Sequence, residues 1–397
     1  MWPFRREVKE HPNGAAFLLP STSRWNRGDR KAYVREGYQT NAVIYRGIRE
    51  ICNAANNCAI ELWNGETLIE SHPALDLIER PNPMQSWGQL LTETLTDRML
   101  FGEQAIVTSG DNAELWGVRP SQVEIKPGRG GIPAEYVHDL NGHTVRFPVS
   151  RIDGTSDMFF TKLYNPDDHW RGQSPLMAAG LAGDTHNAGM KWNYSLLRNS
   201  ARPSGLIEFP EGDPGANTLD RLREWFKSAF QGSDNAGEIP MLFGGAKWTP
   251  MDQSPRDMDF NSTLTEAKQL IASALGVPLP LVDNDASTFN NLEQAKERLY
   301  TDTVIPMMED FLGAFGAWLL PRFGEGLEFR LDLDSIPALE GIRQKNFDRA
   351  IAAVAAQLIT REEARELIGY TDAPIGEFIQ AAPQQQEKAL LAKLAYG

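Results

Sequence analysis

The chain has 397 residues, of which 41% are hydrophobic and 23% are charged, and its 34 glycines and 25 prolines follow no period. These values exclude a fully disordered chain, a collagen and a low-complexity protein. The sequence has no uninterrupted run of about 18 apolar residues, so no membrane-spanning helix is predicted. No signal peptide is visible either, so we expect synthesis in the cytoplasm.

The net charge of −14 is unevenly distributed. Residues 1–35 carry eight Lys or Arg against three Asp or Glu, a local charge of +5, so the remaining chain carries −19. An acidic body is atypical of a protein that reads DNA sequence. The basic N-terminal arm is typical either of a tether for nucleic acid or a partner or of a solvated terminus.

The first predicted helix lies within residues 40–60. Its apolar residues share one face at helical spacing; they are Val43, Ile44, Ile48, Ile51 and Cys52. The only other cysteine is Cys58, and the two form no CxxC pair. Both are predicted to be small buried apolar residues, as expected in a reducing compartment.

Short helices and strands follow as far as residue 163. A strand at 60–63 turns at Asn64-Gly65, and a helix at 73–80 precedes one at 87–101 with Ser86 as its N-cap and Gly102 as its end. Alternating apolar residues then predict six strands; they lie at 104–108, 114–118, 122–126, 134–138, 144–147 and 157–163. This part of the chain is therefore predicted to be α+β.

Two helices flank a small insert in the middle of the chain. The first, at 174–200, begins at Ser174-Pro175 and is rich in Ala and Gly between 178 and 189, which allows close helix packing at a cost of about 1 kcal/mol per Gly. The second, at 258–276, ends at Gly276. The insert at 203–256 is predicted to contain strands and one helix; these are Gly205–Phe209, Leu219–Phe230, Pro240–Phe243 and Lys247–Met251.

A polar loop and a long helix complete the pattern. The loop covers Val282–Asn291, and the helix covers Leu292 to about Leu320 with a kink expected at Pro306. After a strand at 327–333, residues 338–370 are predicted to be helical. Thr360 and Glu363 form a capping box within that region.

Motifs that would indicate an enzyme are missing from the sequence. It contains no P-loop, GxSxG elbow, HExxH or GxGxxG after a strand. His138 and His143, and the Asp167-Asp168-His169 run, are interpreted as ordinary residues because they lack fixed metal-ligand spacing. Asp283-Asn284-Asp285 resembles the DxD of metal-dependent sugar transferases. A transferase using it is therefore one alternative, a solvated turn is another, and a bacterial scaffold protein that does not bind DNA is a third.

A series of short motifs between residues 40 and 320 indicates a family. They are Thr40–Val43, His72–Leu75, Arg80–Pro83, Leu100–Ala105, Gly172–Leu176, Asn199–Gly205, Ala274–Pro278, Asn291–Gln294 and Ile305–Pro306. In this order they resemble the tailed-bacteriophage portal protein, the head–tail connector family that also occurs in gene transfer agents. Glu103-Gln104 departs from the Asn-Ala type of the family, and the C-terminal 70 residues match no family motif.

The resemblance implies a portal fold with wing, helical stem, clip, tunnel loop and crown. Its parts would be a basic arm at 1–39, the wing at 40–173, a stem helix at 174–202, the clip at 203–257, a second stem helix at 258–277, the tunnel loop at 278–291, a long kinked helix with more of the wing at 292–335, and a helical crown and tail at 336–397. It implies a non-enzymatic ring, usually of twelve subunits, at one capsid vertex of a virion or gene-transfer-agent particle made in the host cytoplasm.

The resemblance also implies partners and a channel. Double-stranded DNA would pass through the ring without sequence-specific contact, and the terminase large subunit, the head–tail adaptor and the major capsid protein would bind outside it; no membrane, metal or cofactor is implied. The loop residues expected to face DNA are Asp283, Asn284, Asp285, Ser287, Thr288 and Asn290. Lys191 and Arg198 belong to the stem, and with Arg202 they are too few to grip DNA. Tryptophans are available as anchors between subunits or as ordinary core; they include Trp170, Trp192, Trp225 and Trp318.

Overall fold

A computed structural model describes residues 30–109, 114–140, 142–198, 205–208, 247–250, 260–283 and 289–369. The chain divides into two compact units, Met1–Ile336 and Pro337–Gly397. Each unit is described by itself below.

The first unit begins with a π-helical turn at Tyr33–Tyr38 and helix α1 at Ala42–Asn56. Asn41 caps α1, since its side-chain oxygen accepts hydrogen bonds from the backbone N–H groups of Val43 and Ile44. The predicted apolar face of α1 is buried, and Cys52 and Cys58 are buried as well. This burial confirms both predictions for the segment, and it raises the pKa of the Cys58 thiol to about 11.

Strands from both ends of the first unit form one sheet. β1 at Ala59–Asn64 and β2 at Thr67–Ile69 form a hairpin, of which β1 and the turn were predicted and β2 was not. Gly65 takes a positive φ in its turn. The last strand of the unit, at Leu327–Asp332, pairs antiparallel with the other edge of β1. The sheet therefore joins parts of the chain that are far apart in sequence.

Helices α2, at Pro73–Glu79, and α3, at Trp87–Phe101, follow the hairpin. Ser86 and Gln89 form a capping box at the start of α3, and Gly102 ends the helix with a left-handed backbone. All six predicted strands are present. They are β3 at Glu103–Thr108, β4 at Leu115–Gly117, β5 at Val123–Pro127, β6 at Pro133–Leu140, β7 at His143–Pro148 and β8 at Met158–Lys162. They form two antiparallel sheets, in the orders β4-β3-β8 and β5-β6-β7.

The predicted helix at 174–200 is interrupted. Ser174 caps a short helix at Pro175–Ala178, and α4 then runs from Gly180 to Arg198. The break falls at Ala179, whose φ of −88° and ψ of 4° lie outside helical geometry. The prediction of one continuous helix over 174–200 was therefore wrong at Ala179, although the predicted N-cap at Ser174 was correct.

In the insert, the strands β9 at Gly205–Glu208 and β10 at Lys247–Pro250 pair antiparallel. The predicted helix Leu219–Phe230 and strand Pro240–Phe243 lie outside the described residues. Helix α5 spans Phe260–Leu275 and ends at Gly276, which has a φ of 71°. A helical turn at Leu279–Val282 follows it.

The long helix changes register where the proline was expected to disturb it. α6 at Phe289–Leu299 continues through a π-helical turn at Tyr300–Val304 into α7 at Ile305–Leu319. Pro306 has no N–H to donate to the carbonyl four residues earlier, which lies inside the π turn. At the position of the predicted kink, the structure therefore has a π-helical turn, a local change of helical pitch.

Helix α7 supplies the aromatic core of the first unit. Phe311 and Phe315 are fully buried, and the Phe315 ring lies 5.7 Å from that of Phe159 on β8 and 6.1 Å from that of Phe329 on the last strand, β11. Among the described residues, the helix Asn291–Arg322 is long and apolar enough to cross a membrane, although half of its most apolar window is buried in the protein. Its aromatic contacts are those of a core helix.

The second unit contains helix α8 at Glu340–Ala355 and helix α9 at Arg361–Leu367. Thr360 and Glu363 form the predicted capping box, with hydrogen bonds of 2.7 and 3.1 Å. The α+β fold class expected from the sequence is confirmed across the described part of the chain.

Candidate functional site

Helices α4 and α5 pack against each other as a pair. Small residues are buried on both helices, including Ala182 and Gly183 on α4 and Ala267 and Ala272 on α5. Small side chains reduce the distance at which two helix axes pack. Ala182 and Gly183, from the small-residue pattern predicted for the first helix, are therefore buried as expected.

The helix pair also carries large apolar side chains that a single chain leaves exposed. Leu181 on α4 is 70% exposed and Leu270 on α5 is 60% exposed. Trp192 is exposed too, about three helical turns beyond Leu181 on the same face of α4. Exposed apolar groups that gather on one element are typical of a protein–protein interface.

A buried polar network holds α4 against the start of α1. The side-chain amide of Asn41 donates to Oδ1 of Asn187 over 3.0 Å, and it lies 3.3 Å from Nδ1 of His186. The amide of Asn187 donates in turn to the backbone oxygen of Glu36 over 2.8 Å. Because the oxygen of Asn41 already caps α1, its two N–H groups are both used here.

The geometry of this network requires a neutral His186. Only the nitrogen of Asn41 faces Nδ1, so Nδ1 must accept the hydrogen bond and cannot carry a proton. Burial lowers the pKa of His186, and the positive charge of Lys268 on α5 lowers it further. Both effects favour the neutral ring that the contact with Asn41 needs.

Side chains of Thr303, Arg46 and Lys268 contact the segment 276–283, which we call the loop base. The hydroxyl of Thr303, in the π turn, donates to the carbonyl of Gly276 over 2.5 Å. Arg46 on α1 donates to the carbonyl of Leu281 over 3.3 Å. The ammonium group of Lys268 donates to Oδ2 of Asp283 over 2.7 Å. The loop base is thus held from three different helical elements.

Of the six residues predicted for the loop, the structure describes the first and the last. Asp283 ends the loop base and is paired with Lys268. Asn290 lies in the first turn of α6, so the helix starts earlier than predicted. The other loop positions lie outside the described residues; they are Asn284, Asp285, Ser287 and Thr288.

The two cations predicted for the first stem helix both lie on α4. Lys191 is exposed, and its charge lowers the pKa of Asp184. Burial and the charge of Glu36 have the opposite, larger effect, so the net pKa of Asp184 is raised. Arg198 is the last residue of α4.

The candidate metal residues do not converge. In the β6–β7 register His138 lies opposite Val145 and His143 lies opposite Leu140, so the two histidines do not form a pair. The ring of His169 contacts the carbonyl of Gly131 instead. Within the described ranges, no group of three or more His, Cys, Asp or Glu could hold a metal ion. Asp283 of the DxD run already binds an ammonium group, which disfavours the transferase alternative.

The tryptophans available as anchors differ in their surroundings. Trp318 is half-buried beside the core rings of Phe159 and Phe315, and its indole N–H donates to the carbonyl of Ser156 over 2.7 Å. Trp170 is partly buried, and its backbone N–H donates to the Asp168 carboxylate. Trp192 is exposed on α4, and Trp225 lies outside the described residues. Trp192 is therefore the one of these four whose described position suits a contact between subunits.

A buried carboxylate, which the sequence analysis noted only as a departure from the family motif, lies at the start of β3. Glu103 is 0% exposed and pairs with both Arg30 and Arg171. The backbone N–H of Gly172 also donates to it over 2.8 Å. The two cations and the N–H neutralise a charge that would otherwise be costly to bury. Its signal in the sequence was an acidic residue two positions before the apolar run Ala105–Val107.

Comparison with known proteins places these features in a family. A family model described as "Phage portal protein" matches residues 42–369. A protein of Rickettsia bellii (strain RML369-C), described as uncharacterized, is 30% identical over 346 residues, covering 84% of this chain and 88% of its own length. A probable portal protein of Streptomyces phage phiC31 is 27% identical over 169 residues, covering 42% of this chain and 37% of its own length.

Solved structures show the same similarity. A chain in the neck of an empty gene-transfer-agent particle, computed with C6 symmetry, is 31% identical with a TM-score of 0.66, covering 86% of this chain and 93% of that one. The neck of the native particle, computed with C12 symmetry, gives 30% identity and a TM-score of 0.64 at the same coverage. A portal protein of the HK97 phage family from Corynebacterium diphtheriae shares the fold, with 14% identity, a TM-score of 0.54 and coverage of 76% of this chain and 96% of that one.

Proposed function

The chain belongs to the phage portal protein family, and from this we propose that it forms the ring-shaped channel of a portal vertex, through which double-stranded DNA enters and leaves a capsid. The observation that carries the proposal is its similarity to a neck chain of a gene-transfer-agent particle, at 31% identity and over 93% of that chain. Proteins of this family are structural, so we expect no catalytic activity.

We propose a ring of twelve copies. The neck that gives 30% identity was computed with C12 symmetry, which supports this number. The exposed Leu181, Trp192 and Leu270 on the helix pair support a contact between neighbouring copies. A ring of identical subunits closes through head-to-tail contacts, in which one face of a subunit meets a different face of the next.

We propose that the helix pair is the stem and that the three three-stranded sheets with α1–α3 are the wing. The pairing of β1 with β11 supports assigning residues 292–335 to the same wing. The insert that contains β9 and β10 would be the clip, which meets the terminase large subunit during packaging and the head–tail adaptor afterwards. The wing would meet the major capsid protein, and the second unit would be the crown.

An acidic channel suits a conduit. A protein that neutralises few phosphates gains little affinity from counterion release, so DNA can slide through it. The contact between Asp283 and Lys268 refines this expectation, because an ion-paired carboxylate contributes less negative potential to a channel than a free one. Repulsion of DNA at the loop would then depend on Asp285 more than on Asp283.

The function is tested by complementation in a strain that produces the particle. Deleting the gene should abolish nuclease-resistant DNA in purified particles, and the full-length chain should restore it. Normal amounts of protected DNA without the chain would overturn the proposal. Filled particles that fail to attach tails would assign the chain to the neck without a role in packaging.

A further inference from the structure

The three-stranded sheet of β1, β2 and β11 has a free edge along β11. Within the described part of the chain, β11 pairs with β1 on one side and is the terminal strand of the sheet. A terminal strand presents unpaired N–H and C=O groups, which a further strand can bind. We propose that an extended segment of a partner protein, rich in Lys or Arg, docks here as a fourth strand beside β11.

A groove of about 510 Å³ lies along this edge. Neighbouring residues of a strand point to opposite faces of its sheet, and the groove is lined both by Phe329, which is buried, and by Glu328, which is exposed. A cavity that contacts both faces of one strand lies at the edge of that strand. No residue of β1, all of which is described, lines the groove. The groove therefore follows the edge of β11 that β1 leaves free.

The wall opposite β11 is built from small residues of α7. Gly313 and Ala317 are about one helical turn apart, and both are exposed and line the groove. A Cβ at Gly313 would meet nothing within 4 Å. The rings of Phe315 and Phe329 stack 6.1 Å apart, so the core fixes α7 and β11 against each other. The space beside β11 is therefore set by core packing, and it can take the side chains on one face of an added strand.

The charge of the groove selects the kind of segment that fits it. The lining residues include Glu325 and Glu328 and no Lys or Arg. Glu309 adds a third carboxylate, exposed one helical turn before Gly313 on the same face of α7. Opposite charge across an interface favours the matching partner and disfavours others. A segment that carries Lys or Arg between its apolar residues is therefore the one that suits this edge.

The two arginines nearest to the groove in sequence bind other groups. Arg322 donates to the carbonyl of Ser156 over 2.8 Å. Arg330 pairs with Glu328 and so neutralises one of the three carboxylates. The attraction for a basic segment comes from the other two, which lie on α7 and in the turn before β11.

The test is peptide binding to the full-length protein, with hydrogen–deuterium exchange followed in residues 324–332. The probe is a synthetic peptide of alternating Lys and Val, because valine favours the strand conformation. It should slow exchange in this segment by about fivefold or more. A peptide of alternating Glu and Val should bind at least about fivefold more weakly. The Lys–Val peptide with an N-methyl group on every residue keeps its side chains and charge but has no N–H to donate, so it should give no protection.

Substitutions locate the binding at the groove. Gly313→Trp should fill the groove and weaken binding of the Lys–Val peptide by about tenfold or more. Gly341→Trp is the matched control, because Gly341 is also an exposed helical glycine with nothing within 4 Å of its Cβ, and it should bind normally. Glu309→Lys combined with Glu325→Lys should reverse the preference, so that the Glu–Val peptide binds more tightly. If Gly313→Trp fails to fold, this charge variant and the N-methylated peptide still decide the question.

Three results would each overturn the proposal. Equal binding to the unmodified chain and to Gly313→Trp would place the peptide elsewhere. Equal protection by the N-methylated peptide would show that no strand is added. Protection of residues 324–332 without any peptide, lost in Gly313→Trp, would show that the chain itself or a second copy covers the edge. No DNA or particle takes part in these measurements, so their outcome is independent of the channel function.

Discussion

A Cβ atom built on Gly172 would lie 2.0 Å from the carbonyl oxygen of Gly102. The two glycines belong to motifs far apart in sequence, and their backbones approach too closely for any side chain. Their contact places the N–H of Gly172 against the carboxylate of Glu103. The close approach of Gly102 and Gly172 therefore also supplies one of the hydrogen bonds that stabilise the buried Glu103 carboxylate.

Gly172→Ala should destabilise the protein by about 1–3 kcal/mol, because a methyl group would force the two backbones apart. Thermal unfolding at fixed protein concentration measures this, since assembly changes apparent stability. Gly313→Ala is the matched control. A Cβ there meets nothing within 4 Å in the middle of α7, so the change should stabilise by up to about 1 kcal/mol. Equal effects of the two substitutions would contradict the close approach.

Glu103→Gln should cost about 3–5 kcal/mol, because it leaves Arg30 and Arg171 without their shared counter-charge. Glu124→Gln serves as the comparison, since it breaks an exposed pair with Lys126 and should cost less than about 1 kcal/mol. Urea unfolding of both variants gives the two values. A loss of unfolding free energy below 1 kcal/mol for Glu103→Gln would contradict the ion pairs of Glu103 with Arg30 and Arg171.

Stability should fall as the pH drops below the ordinary histidine pKa of 6.5. The folded pKa of His186 lies below this value, so the unfolded chain binds the proton first and acid favours unfolding. The stabilisation that neutral His186 gives the folded protein is complete above pH 6.5. It is lost as the pH falls through the pKa that His186 has in the folded protein.

His186→Gln should flatten this dependence, because the glutamine amide oxygen can still accept from Asn41 without titrating. The difference between the two pH curves removes the contribution of Asp97, whose pKa is raised to about 7 by burial. It also removes that of His138, whose pKa is lowered by burial. Identical slopes between pH 7 and 5 would rule out His186 as the titrating group.

Leu181→Glu should prevent ring formation without unfolding the chain. The residue is 70% exposed, so the monomer should keep its stability within about 0.5 kcal/mol, whereas a charge inside an apolar interface is strongly unfavourable. Sedimentation velocity should show at least a tenfold loss of the assembled species. Ile152→Glu, at an exposed turn outside the helix pair, should assemble normally; if it fails equally, the interface does not lie on the helix pair.

Local chemistry explains which elements the sequence predicts well. The caps at Ser86 and Thr360 and the end at Gly102 depend on residues within one helical turn, so their signals survive in the sequence. The helical break at Ala179 and the π turn before Pro306 depend on packing around the helix. The sequence predicted where the second irregularity lies but not its form, and it did not predict the first.

The site was harder to predict because its contacts are distant in sequence. The family resemblance implied that Asp283 faces DNA, but it gave no indication of the ion pair with Lys268 on the preceding helix. Glu103 is balanced by arginines from two separate segments. Neither pairing follows from periodicity or from a motif, because no spacing rule relates the partners.

The central claim is that this chain closes into a ring. The most direct measurement is the mass of the purified full-length protein in solution, with negative-stain images of the same sample. Twelve chains of 44.3 kDa predict roughly 530 kDa in a closed ring with a central hole. A compact monomer or dimer at every concentration, with a melting temperature that rises on addition of a divalent cation, would contradict the claim and favour the transferase alternative.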